Sequence, residues 1–215
     1  MSWTMKRVLI RGLVIVLGVV PIALANAAGD NLPREIRALA PDSAALKTGS
    51  WAVMPTEFGK TLTANLSAQF ANMPPSCDST AGPAEVTMTI KGDTAWEQPP
   101  MLDMAIGIYE SNIQKDRTSL HKSVVNQLKT NAGTNSVGVL QDEKLPAGRL
   151  LWVEYKEDCA RHPKGVGTVL RGYSRKGAMT LQFELGLTKS AVETRAVALE
   201  IVTRFQKLNL ATLVR

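Results

Sequence analysis

Apolar residues recur along this chain with two distinct periods. In "EVTMTI" the residues Val86, Met88 and Ile90 alternate with polar neighbours, which predicts a strand with one buried face. Four more strand-like runs follow later, "SVGVLQ", "GRLLWVEYKE", "VGTVLRGYSR" and "AMTLQFELGL", divided by turn-like "PAG", "HPKG" and "RKG". Connections this short favour antiparallel neighbours. "MLDMAIGIYES" has Ile106 and Ile108 in step and reads as a buried strand. Helical spacing appears in "RTSLHKSVVNQLK", where Leu120, Val124 and Leu128 form one stripe, Asp116 stands at the N-cap position and Asn131 to Gly133 end the pattern. It returns near the end of the chain. There Ala198, Ile201, Phe205 and Leu208 make an apolar face opposite Glu193, Glu200, Arg204 and Lys207, and Ser190 with Glu193 has capping-box spacing.

Two earlier stretches are less determinate. "PREIRALAPD" predicts a short helix between Pro33 and Pro41. "SWAVMPTEFGKTLTANLSAQF" spaces Trp51, Val53, Phe58, Leu62, Leu66 and Phe70 in a way that fits helix or strand, with Gly59 marking a turn, and "ANMPPSCDSTAGPAE" is a loop carrying Cys77. Strands gathered together and followed by helices, rather than alternating with them, predict an α+β domain: an antiparallel sheet with helices packed on it.

The N-terminus changes the picture by fixing a compartment. Lys6, Arg7 and Arg11 precede an apolar run from Gly12 to Leu24, and small residues in "ALANAAGD" follow, so residues 1–27 read as a secretory signal peptide. Ala27 is the favoured cleavage point over Ala25. The run is shorter than the roughly 20 apolar residues of a spanning helix and contains Pro21, so no transmembrane anchor is expected in the mature chain. Residues 28–47 read as an N-terminal helical extension and 48–215 as a single α+β domain. Without the signal, 22 Lys and Arg face 19 Asp and Glu, a formal charge of +3 in place of +6, which does not suit nucleic-acid binding. The expected location is the bacterial periplasm or the medium.

In such surroundings a pair of thiols tends to be oxidised, and Cys77 with Cys159 is expected to form one disulfide across 82 residues. A loop of that size gives about 4 kcal/mol in chain-entropy models. Zinc is the rival reading, using Cys77, Cys159, His121 and His162. Structural zinc sites, however, present ligands in two tight pairs, and only Cys159 with His162 is close. No metal and no cofactor is expected.

Several enzyme fragments occur out of context. Ser119 and Lys122 make S-x-x-K and Lys47 to Gly49 make K-T-G, in the reverse of the penicillin-binding order and without S-D-N. "GYSRKG" is one residue longer than a nucleophile elbow around Ser174, and "FGKT" has Met54 where a P-loop needs glycine. Glu154, Glu157 and Asp158 read as solvated charges. Two features suggest binding instead. Arg171, Tyr173 and Arg175 share one strand face and offer cations beside an aromatic ring to an anionic partner. Trp96, beside Pro99 and Pro100, is either an anchor for a partner or packing over the sheet edge.

The layout of "MAIGIYESNIQKDRTSLHKSVVNQL" with the closing "GYSRKGAMTLQFELGLTKSAVETRAVALEIVTRF" resembles the PsbP family, α/β/α sandwiches that include periplasmic proteins such as DcrB; the likeness covers roughly residues 48–210. It is one of element order, and it implies a non-catalytic scaffold or binding protein. The expectation is therefore an exported, non-enzymatic binding or accessory protein engaging a protein or envelope component. A small envelope hydrolase, or an inhibitor or immunity protein for a toxic enzyme, is the alternative.

Overall fold

The stretch from Ala44 to Phe70, which fits either period, forms a hairpin. In the computed structural model, which describes residues 32–71, 84–98, 100–130, 136–137, 140–159 and 162–215, β1 (Ala44–Thr56) and β2 (Gly59–Phe70) pair antiparallel, with Trp51 opposite Ala64 and Val53 opposite Leu62. β1 begins four residues inside the stretch read as a helical extension. β3 (Glu85–Asp93) pairs with β2 and buries Val86, Met88 and Ile90 on one face, as their alternation predicts. Residues 1–27, expected to be a signal peptide, and Cys77 lie outside the described residues.

The largest departure from the sequence reading comes next. "MLDMAIGIYES" is not a strand: a single helix, α2 (Met101–Thr130), runs through it and through the expected helix beyond. Ile106 and Ile108 are in step for a strand, yet the residues that face the sheet are Ala105, Tyr109, Ile113 and Leu120, at helical spacing. Pro100 precedes the first turn, where proline is tolerated, and its carbonyl accepts from Met104 N–H at 3.1 Å. Asp116 is accordingly mid-helix and caps nothing.

After α2 the chain returns as β4 (Ser136–Val137), β5 (Gln141–Leu145), β6 (Gly148–Cys159), β7 (His162–Lys176) and β8 (Met179–Leu187). "PAG" and "RKG" turn as expected, the latter with Gly177 at φ 54°, a left-handed conformation that favours glycine. "HPKG" does not. His162 to Gly165 are the first residues of β7, with His162 opposite Cys159 beyond a bulge, and Pro163 sits near the strand start where its missing N–H is tolerated. Among the described residues eight strands make one antiparallel sheet in the order β1-β2-β3-β8-β7-β6-β4, with β5 also on β6, and helices pack on it, so the α+β class holds. Among the described residues no helix is long and apolar enough to cross a membrane.

Both faces of the sheet are used, unequally. One carries the main core, where Leu66, Met88, Leu185 and Leu170 meet α1 (Arg34–Arg37), α3 (Ala191–Phe205) and α4 (Leu210–Leu213). Ile36 and Leu39 belong to this core, which joins the N-terminal turn to the same body. Ala198, Ile201, Phe205 and Leu208 are buried as the sequence predicts. The other face carries, among the described residues, a core of six buried side chains, Tyr109, Ile113, Leu120, Leu151, Val153 and Tyr173, beneath α2.

α3 is held electrostatically at both ends. Ser190 and Glu193 form the expected capping box, and Glu154, read from sequence as a solvated charge, accepts from Ala191 N–H at 2.6 Å. At the other end Lys176 Nζ donates to the carbonyls of Gln206 and Leu208, both at 2.6 Å. Replacing Lys176 with Met leaves these acceptors without their charged donor. It is expected to lower stability by about 1.5–3 kcal/mol in urea unfolding, the range for hydrogen bonds to charged groups.

Arg195 of α3 forks onto Glu143 of β5, with Nε at 2.6 Å from Oε2 and Nη2 on Oε1. These bonds hold the Glu143 carboxyl below the usual carboxylate range. A lowered pKa stabilises the fold above the unfolded value of about 4.3, and the contribution disappears as pH falls through the folded value. Both side chains are partly exposed, so solvent screens the pair and its contribution is small. Glu143→Gln is expected to flatten the acid limb of stability against pH below about 4.5 and to leave the slope at neutral pH unchanged.

Candidate functional site

The face beneath α2 brings the sequence-predicted binding residues together and then divides them. Arg171, Tyr173 and Arg175 do point to one side of β7, as strand periodicity requires. Tyr173, however, is buried. Its ring meets that of Tyr109 edge to face, centroids 6.5 Å apart and planes at 77°, which pins α2 to the sheet. On either side of this contact lies a cavity, one lined by Arg171 and the other by Arg175.

In the Arg171 cavity, about 410 Å³, the arginine is held by its neighbours. Arg171 Nε donates to Glu184 Oε2 at 2.5 Å and Nη1 to Ser119 Oγ at 3.0 Å, while Ser119 Oγ donates to the Asp116 carbonyl at 3.2 Å. Arg171 thus ties α2 to β8 across the sheet. Thr87, Thr89, Gln182 and Phe183 complete the lining. Towards β1 the same face continues as a hydrogen-bonded row, Thr89 Oγ1 to Asn65 Oδ1 at 3.0 Å and Asn65 Nδ2 to Ser50 Oγ at 3.4 Å.

The Arg175 cavity, about 430 Å³, lies between the N-terminal half of α2 and the β5–β6 hairpin. Lys144, Arg149 and Arg175 line it with Tyr109, Glu110 and the apolar Ile106, Ile113 and Leu145. Asp142 reaches Arg149 at 3.2 Å and Arg117 of α2 at 3.6 Å. Among the described residues neither Lys144 nor Arg175 is in an ion pair. The Tyr109 hydroxyl is buried and has no hydrogen-bond partner there. Burial and the neighbouring Glu110 push its pKa up to about 12, against the opposing pull of Arg175 and Arg149, so it stays a protonated donor at neutral pH.

Comparison of the chain with protein-family models, curated proteins and solved structures gives no significant match.

The other sequence candidates fall elsewhere. Trp96 lies in a 3-10 turn (Thr94–Glu97) and packs, partly buried, against the main core. Cys159 ends β6, but its side chain, like all of Cys77 and the side chains of His121 and His162, lies outside the described residues, so the pairing is untouched by the structure. Among the described residues no three His, Cys, Asp or Glu side chains gather as metal ligands. Ser174 is buried on the α3 side of β7, where Oγ donates to the Ala147 carbonyl at 3.3 Å and accepts from Gln206 Nε2 at 2.8 Å. The S-x-x-K and K-T-G fragments sit far apart, on α2 and on the edge strand β1, where Lys47 pairs with Glu85.

Sequence reasoning missed Tyr109, Lys144 and Arg149. Tyr109 was hidden by the strand assignment of 101–111. The two cations had a usable signal: "KLPAGR" places Lys144 and Arg149 symmetrically about a two-residue turn, hence opposite each other on one face.

Proposed function

We propose that this protein is an exported, non-enzymatic binding or accessory protein of the bacterial periplasm, which engages a protein or envelope component through the cleft under α2. One observation carries the reading. Lys144 and Arg175 line a cavity without ion-pair partners among the described residues, beside a buried hydroxyl that is also unpaired. Like-charged neighbours and an unsatisfied buried donor lower folding stability, and a bound partner offsets both. The basic and apolar N-terminal segment supports export. A PsbP-like scaffold and a Cys77–Cys159 disulfide belong to the same proposal; the antiparallel sheet with a long helix and a closing helix is compatible with the former, though the stretch 101–111 is helix where the resemblance expected a strand. Ser174 has its hydroxyl engaged on the opposite face, which weighs against the hydrolase reading.

The test is retention of an envelope component. The exported protein is incubated with a detergent extract of cell envelope, re-isolated and examined by native mass spectrometry. Wild type is expected to carry a component that the Arg149→Ala/Arg175→Ala double variant loses. Turnover of a lipid, ester or peptidoglycan substrate that stops with Ser119→Ala, or labelling of Ser119 or Ser174 by a serine-hydrolase probe, would overturn the proposal.

A further inference from the structure

Three cations meet where the β5–β6 hairpin reaches α2. Lys144 and Arg149 are cross-strand partners, and Arg149 is in turn opposite Tyr173, two residues from Arg175 on β7. All three leave the sheet on the α2 side and line the same cavity. Charges of one sign placed opposite each other repel. Asp142 is shared between Arg149 and Arg117, and Glu110 lies exposed at the cavity wall, so positive charge is in excess. That excess suits an anionic head.

The rest of the wall is of the opposite character. Ile106 and Ile113 from α2 and Leu145 and Pro146 from the hairpin give an apolar side, and the volume of about 430 Å³ falls among small-molecule sites. Between the two sides stands Tyr109, only 7% exposed, its hydroxyl without a partner among the described residues. Buried hydroxyls are nearly always hydrogen-bonded, so a donor left unpaired beside three cations marks where an acceptor belongs.

Resting on the reading of this cleft as the binding site, we infer that the cavity takes an amphiphilic anion. Its carboxylate or phosphate head receives hydrogen bonds from Lys144, Arg149, Arg175 and the Tyr109 hydroxyl, and a short alkyl or aryl chain lies along Ile106 and Ile113. A free carboxylic acid and the phosphate-bearing part of a lipid share this chemistry.

Calorimetric titration of the full exported protein with octanoate and octyl phosphate, below their micellar concentrations, tests the assignment. Octanol, acetate and inorganic phosphate serve as the neutral and chainless comparisons. Both amphiphilic anions are expected to bind at least about tenfold more tightly than any comparison compound, and Lys144→Ala or Arg175→Ala to weaken them about tenfold, as loss of a charge-assisted contact does. Preference for octanoate assigns a free carboxylate, and preference for octyl phosphate a phosphate head. Tyr109→Phe separates a ligand contact from a packing role. It is expected to weaken binding about fivefold without lowering the Tm, because the free protein loses only an unpaired group. Equal binding of octanol and octanoate, or a Tyr109→Phe variant that binds like wild type, overturns the inference. If no octyl compound binds while an envelope component is still retained through Arg149 and Arg175, the amphiphile assignment fails and the binding reading stands. If both are absent, both fail.

Discussion

Replacing Phe205 with Ala is expected to destabilise the fold by about 4 kcal/mol, within the 3–5 kcal/mol seen when a buried aromatic is truncated. Phe205 is the last residue of α3, fully buried in the main core with Ile201 and Ala198. Two effects add: the lost transfer free energy of the ring, and the cavity left where α3 rests on the sheet. The cavity cannot close easily, because α3 is fixed on both sides of the vacated space, by the Ser190–Glu193 capping box at one end and by Lys176 at the other. For a domain of this size each kcal/mol moves the Tm by about 2–4 °C, so a fall of about 8–16 °C is expected in a thermal melt. A fall below about 3 °C would mean that the helix recentres over the gap and that the end fixings are weaker than their geometry implies.

The second large effect concerns backbone rather than side chain. A Cβ built on Gly148 meets the Tyr173 carbonyl oxygen at 2.0 Å and the Ser174 Cα at 2.9 Å. No rotamer change relieves a contact between two main chains, so Gly148→Ala has to push β6 from β7 where the hairpin begins. The expected cost is about 3 kcal/mol, the upper part of the usual range for overpacking. Gly107→Ala gives the contrast. It lies within α2, where an added Cβ meets nothing within 4 Å, and the substitution is expected to raise stability by about 0.5–1 kcal/mol, the helix-interior preference for Ala over Gly. Urea melts of the two variants should move in opposite directions. If both move together, the glycine positions do not differ in the way described.

The period-two strands and the final amphipathic helix were legible because their signals are local. Val86, Met88 and Ile90 alternate whatever surrounds them, and Ser190 with Glu193 marks a helix start from four residues of sequence. α2 was misread for a different reason. Its first half, with Met104 and Ile108 exposed, is apolar around much of the helix, so the buried stripe of Ala105, Tyr109 and Ile113 does not stand out from its neighbours. The polar "ESNIQKD" then resembles a connection, though it contains no Pro or Gly to break a helix.

The site was only half legible. Strand periodicity put Arg171 and Arg175 on one face, but their different roles depend on Glu184, which sits opposite Arg171 on β8, and on the absence of such a partner for Arg175 among the described residues. Cross-strand neighbours from distant segments are set by the sheet order, which a single sequence does not carry. Two glycines teach the same lesson. Gly167 and Gly172 look like weak points in a strand, yet Gly167 seats the ring of Tyr155 and Gly172 that of Phe183, each from the paired position on the adjoining strand.

The two cores differ in size, and this has a dynamic consequence. Among the described residues 26 buried side chains hold one face of the sheet to its helices, against six beneath α2. Among the described residues the roof of the candidate pocket rests on the smaller of the two cores. Amide protons along α2 should exchange with solvent through a partial opening that leaves β2, β3, β8 and α3 protected until the whole domain unfolds. Such a lift uncovers Tyr109 and the cations beside it in one movement, which gives a bulky guest a way in without disturbing the rest of the molecule.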